Sequence, residues 1–455
     1  MRRLQGIKIF KKPTYLKLNL SQGFFETFSI LEKSCNNCFL FESLGEESNN
    51  KNRYSLIGFN PDTVIKAKGN ELNIGDKKFK SKNPYQDLRK IMPPPILTQS
   101  YPGGLVGYLG YEAANYFEPS LKLITHPDFE QFCFGVYTDG LIYDNVTGET
   151  SYFYNNKNRL KSIKKLLIKG SKNTNKPKTR VVGLGPNITK TRHKKLVEDV
   201  LKEIKTGNTF QCEVGLKINY KIVGEALPIY QKLRKVNPSS YMFYVKFGGK
   251  KLLGSSPELL FSLRQKNMQT FPLAGTIKRG RTEKDDKNLA KKLLNDPKEQ
   301  AEHKMLVDLH RNDLGRVAKF GTVSVSRFMD VKKFSHVQHI SSEIFGIIKP
   351  SEDMFSALAS CFPAGTLTGA PKIESMKIIN SQEPEGRGPY GGGVGFFGFN
   401  GDCEFAIPIR SLFISGQRAF IQASGGVVYD SKAENEYEEI LNKLKALTQV
   451  LKNFK

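Results

Sequence analysis

Short apolar runs broken by turn-forming residues set the strongest limit on how this chain can fold. Through residues 1 to about 95 the gaps SLGEESNNKN (43–52), GFNPD (58–62) and GNELNIGD (69–76) interrupt each apolar segment early. Segments of that length read as short strands joined by turns. Further on, YPGGLVGYLGYEAANYF (101–117) reads as a strand whose glycines admit a neighbouring backbone, followed by a short helix. QFCFGVYTDGLIYDNVTGETSYFY (131–154) reads as a hairpin around the turn Asp144–Gly148.

From Lys161 to about Asn187 the chain turns polar and basic, with KGSKNTNKPKTR at the centre. That is a linker composition, and it divides the chain into regions 1–180 and 186–455. At 455 residues the whole can bury a large core. No apolar run approaches the length of a membrane span. The basic N-terminus lacks the continuous apolar region of a secretory signal, so a cytoplasmic protein is expected. The six cysteines are scattered like reduced thiols. Cys35 and Cys38 form one CxxC, but no second ligand pair completes a zinc site.

The net charge of +26 raises the question of a nucleic-acid partner. Arginine supplies only 17 of the 70 basic residues, and lysine and asparagine are abundant along the whole chain. Readers of phosphate and base edges favour the bidentate arginine fork. The charge is better read as the mark of an AT-rich coding bias.

After the linker, Val197, Val200, Leu201 and Ile204 share one helical face over 191–205, and Gly207 ends the helix. Strands are expected in 209–220, in 242–263 and at 270–282. CFPAGTLTGAPKIESMKII (361–379) is a Gly/Thr loop opening a helix at Pro371, a residue suited to a first turn. Arg410 is expected on a strand, AIPIRSL, with Ile407 and Ile409 on the opposite face. The last helix buries Tyr437, Ile440, Leu441, Leu444, Leu447 and Leu451.

Chemistry concentrates in AEHKMLVDLHRND (301–313), where Met305, Leu306, Leu309 and Leu314 recur at helical spacing. Alone it reads as a surface helix with solvated charges, as does KAENEYEEILNKLKAL. Together they offer Glu302, Glu436 and Glu439, carboxylates of the kind Mg²⁺ favours. GTLTGAPK departs from a phosphate loop in its spacing, yet a loop before a helix still offers N–H groups to an anion. GVGFFG (393–398) matches GxGxxG but has aromatics in the gaps and strand residues after it, so it is not a dinucleotide fingerprint. No GxSxG elbow and no glutaminase-type cysteine turn occurs.

Taken together, PLAGTIKRG, DPKEQAEHKMLVDLHRNDLGRV, FSHVQHISSEI, GTLTGAPKIESM, GPYGGGVGFFGF, IPIRSL and SGGVVYDSKAENEYEEILNK resemble the chorismate-utilising enzymes. The large subunits of anthranilate synthases are the branch they resemble most. FLFES (39–43) and RYSLIGFNP (53–61) resemble the N-terminal part of that branch more loosely. The resemblance implies an α+β fold of large twisted antiparallel sheets packed as a sandwich, with helices outside. It implies a regulatory N-terminal region (1–180) and a chorismate-binding catalytic region (186–455).

The activity implied is that of a carbon–oxygen lyase. Mg²⁺-dependent addition of ammonia to chorismate, loss of the ring hydroxyl and elimination of pyruvate would give anthranilate for tryptophan biosynthesis. By resemblance, Glu302 and Glu439 ligate Mg²⁺ with Glu436 nearby. Glu258 protonates the departing hydroxyl, and His339 and Thr276 complete the catalytic group. Gln211, Ala274, Gly275, Thr366, Tyr390, Arg410, Gly425 and Gly426 line the substrate site. The partner implied is a glutamine amidotransferase subunit that supplies ammonia. L-tryptophan would inhibit through Glu42, Ser43, Pro238, Tyr241 and Met242, although Ser240 stands where a proline is usual.

Two positions separate the branches. Isochorismate makers carry a lysine at the position of Gln211 to activate water. Aminodeoxychorismate synthases, the nearest alternative, usually carry a nucleophilic lysine at the position of Ala274. Here neither is a lysine, which favours an ammonia nucleophile and the anthranilate branch. CEVGLKINY departs from the usual pattern after the glutamine, and reads as ordinary strand drift.

Overall fold

A computed structural model of the chain describes residues 4–44, 53–171, 178–334 and 337–454. Most of the turn expected at 43–52, the centre of the expected linker (172–177) and His336 lie outside the described residues.

Two twelve-stranded sheets form the body of the molecule, and every strand pairing in them is antiparallel. The first runs in space through Thr14–Leu18, Thr150–Tyr154, Asp139–Asp144, Tyr54–Phe59, Asn37–Glu42 and Tyr241–Phe247. It continues through Lys250–Ser256, Ser411–Ser415, Arg418–Val427, Gln211–Gly224 and Thr179–Pro186, with Gly369–Ala370 paired to Gln211–Gly224. The second runs through Leu273–Lys278, Val337–Ile347, Asn267–Thr270, Leu259–Arg264, Cys403–Ala406 and Gly393–Gly398. It then passes through Gly104–Leu109, Phe132–Tyr137, Thr63–Lys68, Glu71–Ile74 and Lys77–Lys80, and Ser324–Lys333 pairs with Val337–Ile347.

Residue alternation sorts the core into layers. Phe39, Val245, Leu252, Phe413 and Phe420 of the first sheet join the core shared with the second. Their strand neighbours Leu40, Tyr244, Leu253, Leu412, Ile414 and Ile421 join a separate cluster with the helices Phe24–Ser34, Leu227–Val236 and Ala433–Lys452. Side chains one residue apart on a strand point to opposite faces, so these strands of the first sheet each serve two cores. This is the expected sandwich with helices on its outer side.

Residues on both sides of position 180 build both sheets. Asn37–Glu42 pairs with Tyr241–Phe247 in the first, and Gly104–Leu109 with Gly393–Gly398 in the second. The division near 180 is therefore one of chain order, and neither sheet stops there. GVGFFG is a central strand flanked by two others, as its composition requires.

Four local expectations need correction. Only 139–154 forms the expected hairpin; Phe132–Tyr137 belongs to the other sheet, because the chain passes between sheets at Thr138. AIPIRSL is not one strand: Cys403–Ala406 lies in the second sheet and Ser411–Ser415 in the first, with Arg410 between them at φ +51°. Pro371 is the N-cap of the helix Lys372–Gln382, with extended ψ, and not its first-turn residue. In the helix Pro297–Gly315 the buried face is His303, Leu306, Val307, His310, Asp313 and Leu314, while Met305 and Leu309 are only half-buried. Its histidines enter the core because hydroxyls meet them: His303 Nε2 pairs with Ser342 at 2.7 Å, and His310 Nδ1 with Thr270 at 2.7 Å.

Phe413 is fully buried between the sheets and packs on Phe420 with ring centroids 5.1 Å apart. Phe413→Ala should cost about 3–5 kcal/mol, read as an earlier midpoint in urea. The exposed Phe320 is the control; Phe320→Ala should stay within about 0.5 kcal/mol of the parent. Equal midpoints for the two variants would contradict the layer assignment.

Candidate active site

Two passages from sheet to sheet lie side by side and set the position of the first group of residues. At Pro257–Glu258 the chain leaves Lys250–Ser256 of the first sheet for Leu259–Arg264 of the second. At Ile407–Arg410 it makes the return crossing. Ile407 N donates to the Glu258 carbonyl at 3.1 Å and Ser255 N to the Arg410 carbonyl at 3.4 Å, so the passages are tied together. Glu258 and Arg410 are thereby held beside each other in the interior.

Burial raises the Glu258 carboxyl to about 8, partly offset by hydrogen bonds to its Oε1 from Thr366 Oγ1 (2.9 Å) and Leu273 N (3.4 Å). At neutral pH this group is mostly protonated. Burial lowers Arg410 to about 10, with the Glu258 charge acting in the opposite direction. Arg410 Nη2 donates to His339 Nε2 at 3.1 Å. His339 Nδ1 in turn lies 2.8 Å from the Gly275 carbonyl and 3.0 Å from Thr276 Oγ1. A carbonyl only accepts, so the imidazole is neutral with its proton on Nδ1. Burial, then the Arg410 charge, hold His339 at about 3, consistent with that state. The strand Leu273–Lys278 supplies this carbonyl through a bulge between Ala274 and Thr276, where Gly275 adopts φ +65°.

A second group surrounds the strand Gln211–Gly224. Gln211 Nε2 donates to Glu302 Oε1 at 3.0 Å across from the helix Pro297–Gly315. Glu302 is raised to about 7 by burial, with repulsion from Glu299 and Glu439 adding to it. Glu436 and Glu439 come from the C-terminal helix. Glu436 is raised by burial, and its Oε2 is buried without a hydrogen-bond partner. At Glu439 burial acts upward, but the Lys443 ammonium, 2.7 Å away, holds the group below the usual range. Tyr390 OH meets Ser424 Oγ at 2.9 Å, and Ser424 Oγ donates to Glu213 Oε2 at 2.8 Å. Side chains at Gly425 or Gly426 would displace the ends of these polar groups. A Cβ at Gly425 would stand 2.9 Å from Glu436 Oε2, and one at Gly426 2.5 Å from Gln211 Nε2.

All the residues expected to hold substrate or metal are brought into these two groups. Ala274 and Gly275 flank the bulge beside His339, and Thr366 binds Glu258. Among the described residues no three His, Cys, Asp or Glu side chains already stand in an arrangement that could hold a metal ion. The donor set nonetheless suits a hard divalent cation. The Glu439 charge raises both Glu302 and Glu436 in a partly desolvated place, and Glu436 carries an orphaned buried oxygen. Of the expected inhibitor residues, Glu42, Ser43, Tyr241 and Met242 line one cavity together with Phe396, and Pro238 is not in its wall. Glu42 is held there by Arg234, whose Nε and Nη2 donate to it at 2.7 Å each, and by Tyr230 OH at 3.0 Å.

Sequence reasoning missed four residues here. Glu213 and Ser424 lie within strands that read as ordinary. Lys443 is four residues after Glu439, a spacing that was available as a signal. Arg387 is fully buried and reaches Glu383 Oε1, the Glu213 carbonyl and the Leu367 carbonyl, tying the loop at Leu367 to the strand below.

Comparison with known proteins adds the family. The chain is 53% identical to anthranilate synthase component 1 of Leptospira biflexa over 98% of both chains. It is 41% identical to anthranilate synthase component 1 of Methanothermobacter marburgensis, over 97% of this chain and 95% of that one. Its fold superposes on the crystal structure of anthranilate synthase component I from Streptococcus pneumoniae with a TM-score of 0.79. That match has 31% identity and covers 88% of this chain and 92% of that one. A match to the chorismate binding enzymes runs from residue 36 to residue 449, through both sheets and every residue of the two groups above, and the chain belongs to that family.

Proposed function

We propose that this chain converts chorismate and ammonia to anthranilate and pyruvate, as the synthase subunit of an anthranilate synthase. The observation that carries the reading is a buried, protonated Glu258 in a site that has Gln211 and Ala274 where amine side chains would direct other chemistry. Glu258 donates its proton to the departing ring hydroxyl, and Thr366 orients it. Arg410, kept in place by neutral His339, and the Tyr390 hydroxyl bind the substrate's carboxylates with the backbone at Gly425 and Gly426. Tyr390 is raised to about 12 by burial, so it remains a hydrogen-bond donor.

Glu302, Glu439 and Glu436 would hold Mg²⁺, which when bound supplies positive charge to offset the substrate's carboxylate. The naming of its relatives as component 1 supports a partner component, a glutamine amidotransferase subunit, as the source of the ammonia. The cavity lined by Glu42, Ser43, Tyr241 and Met242 supports a site for L-tryptophan as inhibitor. A cytoplasmic location fits the finding that no described helix is long and apolar enough to cross a membrane.

Purified protein given chorismate, Mg²⁺ and ammonium salt should develop anthranilate fluorescence. Accumulation of aminodeoxychorismate without anthranilate would instead establish the alternative branch. The acid role of Glu258 has a pH signature. The protonated form is the active one, so kcat at saturating free ammonia should fall as pH rises through about 8. In Thr366→Val the lost hydrogen bond no longer favours the ionised form, and this alkaline limb should move upward; a downward move would remove the acid assignment. Glu302→Gln and Glu439→Gln should abolish both turnover and the Mg²⁺-induced rise in melting temperature while keeping the parent's circular dichroism. Parent-like Mg²⁺ response in both would eliminate the metal assignment.

A further inference from the structure

Gln211 and Glu213 point to the same face of one strand, two residues and about 6–7 Å apart, with Cys212 between them facing away. Each presents an acceptor that nothing in the protein satisfies. Gln211 is 1% exposed, its Nε2 is committed to Glu302, and its Oε1 is buried without a partner. The amide orientation is fixed by chemistry, because turning it would set a carbonyl against the Glu302 carboxylate. Glu213 is 6% exposed; its Oε2 accepts from Ser424, and its Oε1 receives no hydrogen bond among the described residues. Both side chains converge over Gly426. A Cβ there would lie 2.5 Å from Gln211 Nε2 and 2.7 Å from Glu213 Oε1. Leaving a buried acceptor such as Gln211 Oε1 unmet costs about 1–3 kcal/mol, and Glu213 Oε1 on the same face can take a second hydrogen of one small donor.

We propose that Gln211 Oε1 and Glu213 Oε1 seat the attacking ammonia, and that Glu213 accepts the proton its nitrogen sheds on bonding to the ring. This rests on the functional reading above. Ammonia is a small neutral molecule with three N–H donors and one lone pair. Two acceptors bind two of its hydrogens and leave the lone pair free for attack. Water can occupy the same seat, and ammonia prevails there as the stronger nucleophile, attacking through a lone pair that needs no prior deprotonation. As the new C–N bond forms, the ring carbon–oxygen bond breaks and Glu258 gives its proton to the hydroxyl, which leaves as water. The nitrogen, now carrying one proton too many, passes it to the Glu213 carboxylate. Glu258 ends ionised and Glu213 protonated, and exchange with solvent restores both.

The surroundings of Glu213 keep it available for this role. Burial raises it to about 7, with Glu302 and Glu439 acting the same way and Lys443 and the Ser424 hydrogen bond opposing them. Lys443 does not close on it, since its ammonium is bound to Glu439 at 2.7 Å and to the Ser424 carbonyl at 2.9 Å. The Arg387 guanidinium takes the Glu213 backbone carbonyl and not its carboxylate.

The test separates the two substrates. Glu213→Gln keeps the shape and removes the base. At saturating chorismate and Mg²⁺ its kcat/KM for ammonia should fall about tenfold or more, while its KM for chorismate stays within about twofold. Glu213→Asp should recover part of the loss, and both proteins are checked for the parent's circular dichroism. Ser424→Ala, which cuts the link from Glu213 to Tyr390, should act on the chorismate KM. Glu213→Gln with unchanged ammonia dependence, or with its loss confined to the chorismate KM, overturns the proposal and leaves the function standing. Should neither glutamine nor aspartate fold at this position, Glu213 is a structural residue and the proposal is likewise overturned. A parent protein that makes no anthranilate at any ammonium concentration overturns both.

Discussion

The paired crossings at Pro257–Glu258 and Ile407–Arg410 are the constraint on which this molecule's chemistry depends. A chain that passes from one sheet to the other must break its strand ladder, and the freed backbone groups need partners. Here the two breaks satisfy each other, through Ile407 N to the Glu258 carbonyl and Ser255 N to the Arg410 carbonyl. The left-handed φ of +51° at Arg410, uncommon for a residue with a side chain, is the turn that aims its guanidinium inward. An acid and a cation thus come to lie beside each other, the acid buried and the arginine half-buried. In that setting burial raises the carboxyl and lowers the guanidinium together.

The same medium governs the carboxylates on the other side of the site. Glu213, Glu302 and Glu436 are all raised, and in each case desolvation is the leading cause. Such a cluster is expensive to leave uncompensated. A dedicated scaffold keeps it from collapsing. Arg387 pairs with Glu383 at 2.6 Å, lies over the Tyr111 ring at 4.6 Å, and fastens the Leu367 and Glu213 carbonyls. Lys443 does the same from the C-terminal helix through Ser424 and Glu439. A buried arginine and a half-exposed lysine thus brace the backbone around these acids.

Much of this was legible in the sequence, and the exceptions have physical reasons. The short strands of the N-terminal region, the turn at Asp144–Gly148 within the hairpin expected over 131–154, the helix ending before Gly207 and the reading of GVGFFG as a strand follow from turn residues and alternation. Arg410 was placed on a strand because AIPIRSL alternates correctly; nothing local marks a passage between sheets. In the Pro297–Gly315 helix the apolar spacing marks the buried Leu306 and Leu314 but also the half-buried Met305 and Leu309, and it carries no signal for the burial of His303 and His310. Their burial depends on Ser342 and Thr270, which are 39 and 40 residues away in the chain. Glu213 was passed over as strand drift, since a carboxylate in a buried strand has meaning only once Ser424 and Gln211 are seen beside it. The family motifs located most of the site, whereas the residues that support it carry no pattern of their own.

Because each sheet joins one block of strands from before position 180 to another from after it, the two regions of the chain are not separable bodies. A fragment beginning at 186 would present the Tyr241–Phe247 and Gly393–Gly398 strands as bare edges, one in each sheet. Both are rich in aromatic and β-branched residues, the kind of edge that recruits a neighbouring chain. During synthesis the first region faces the mirror problem, with Asn37–Glu42 and Gly104–Leu109 waiting for partners made some 200 and 290 residues later. Productive folding therefore depends on finishing the chain before those edges find each other on neighbouring molecules. The architecture that brings Glu258 to Arg410 also makes nascent copies of this protein vulnerable to crowding.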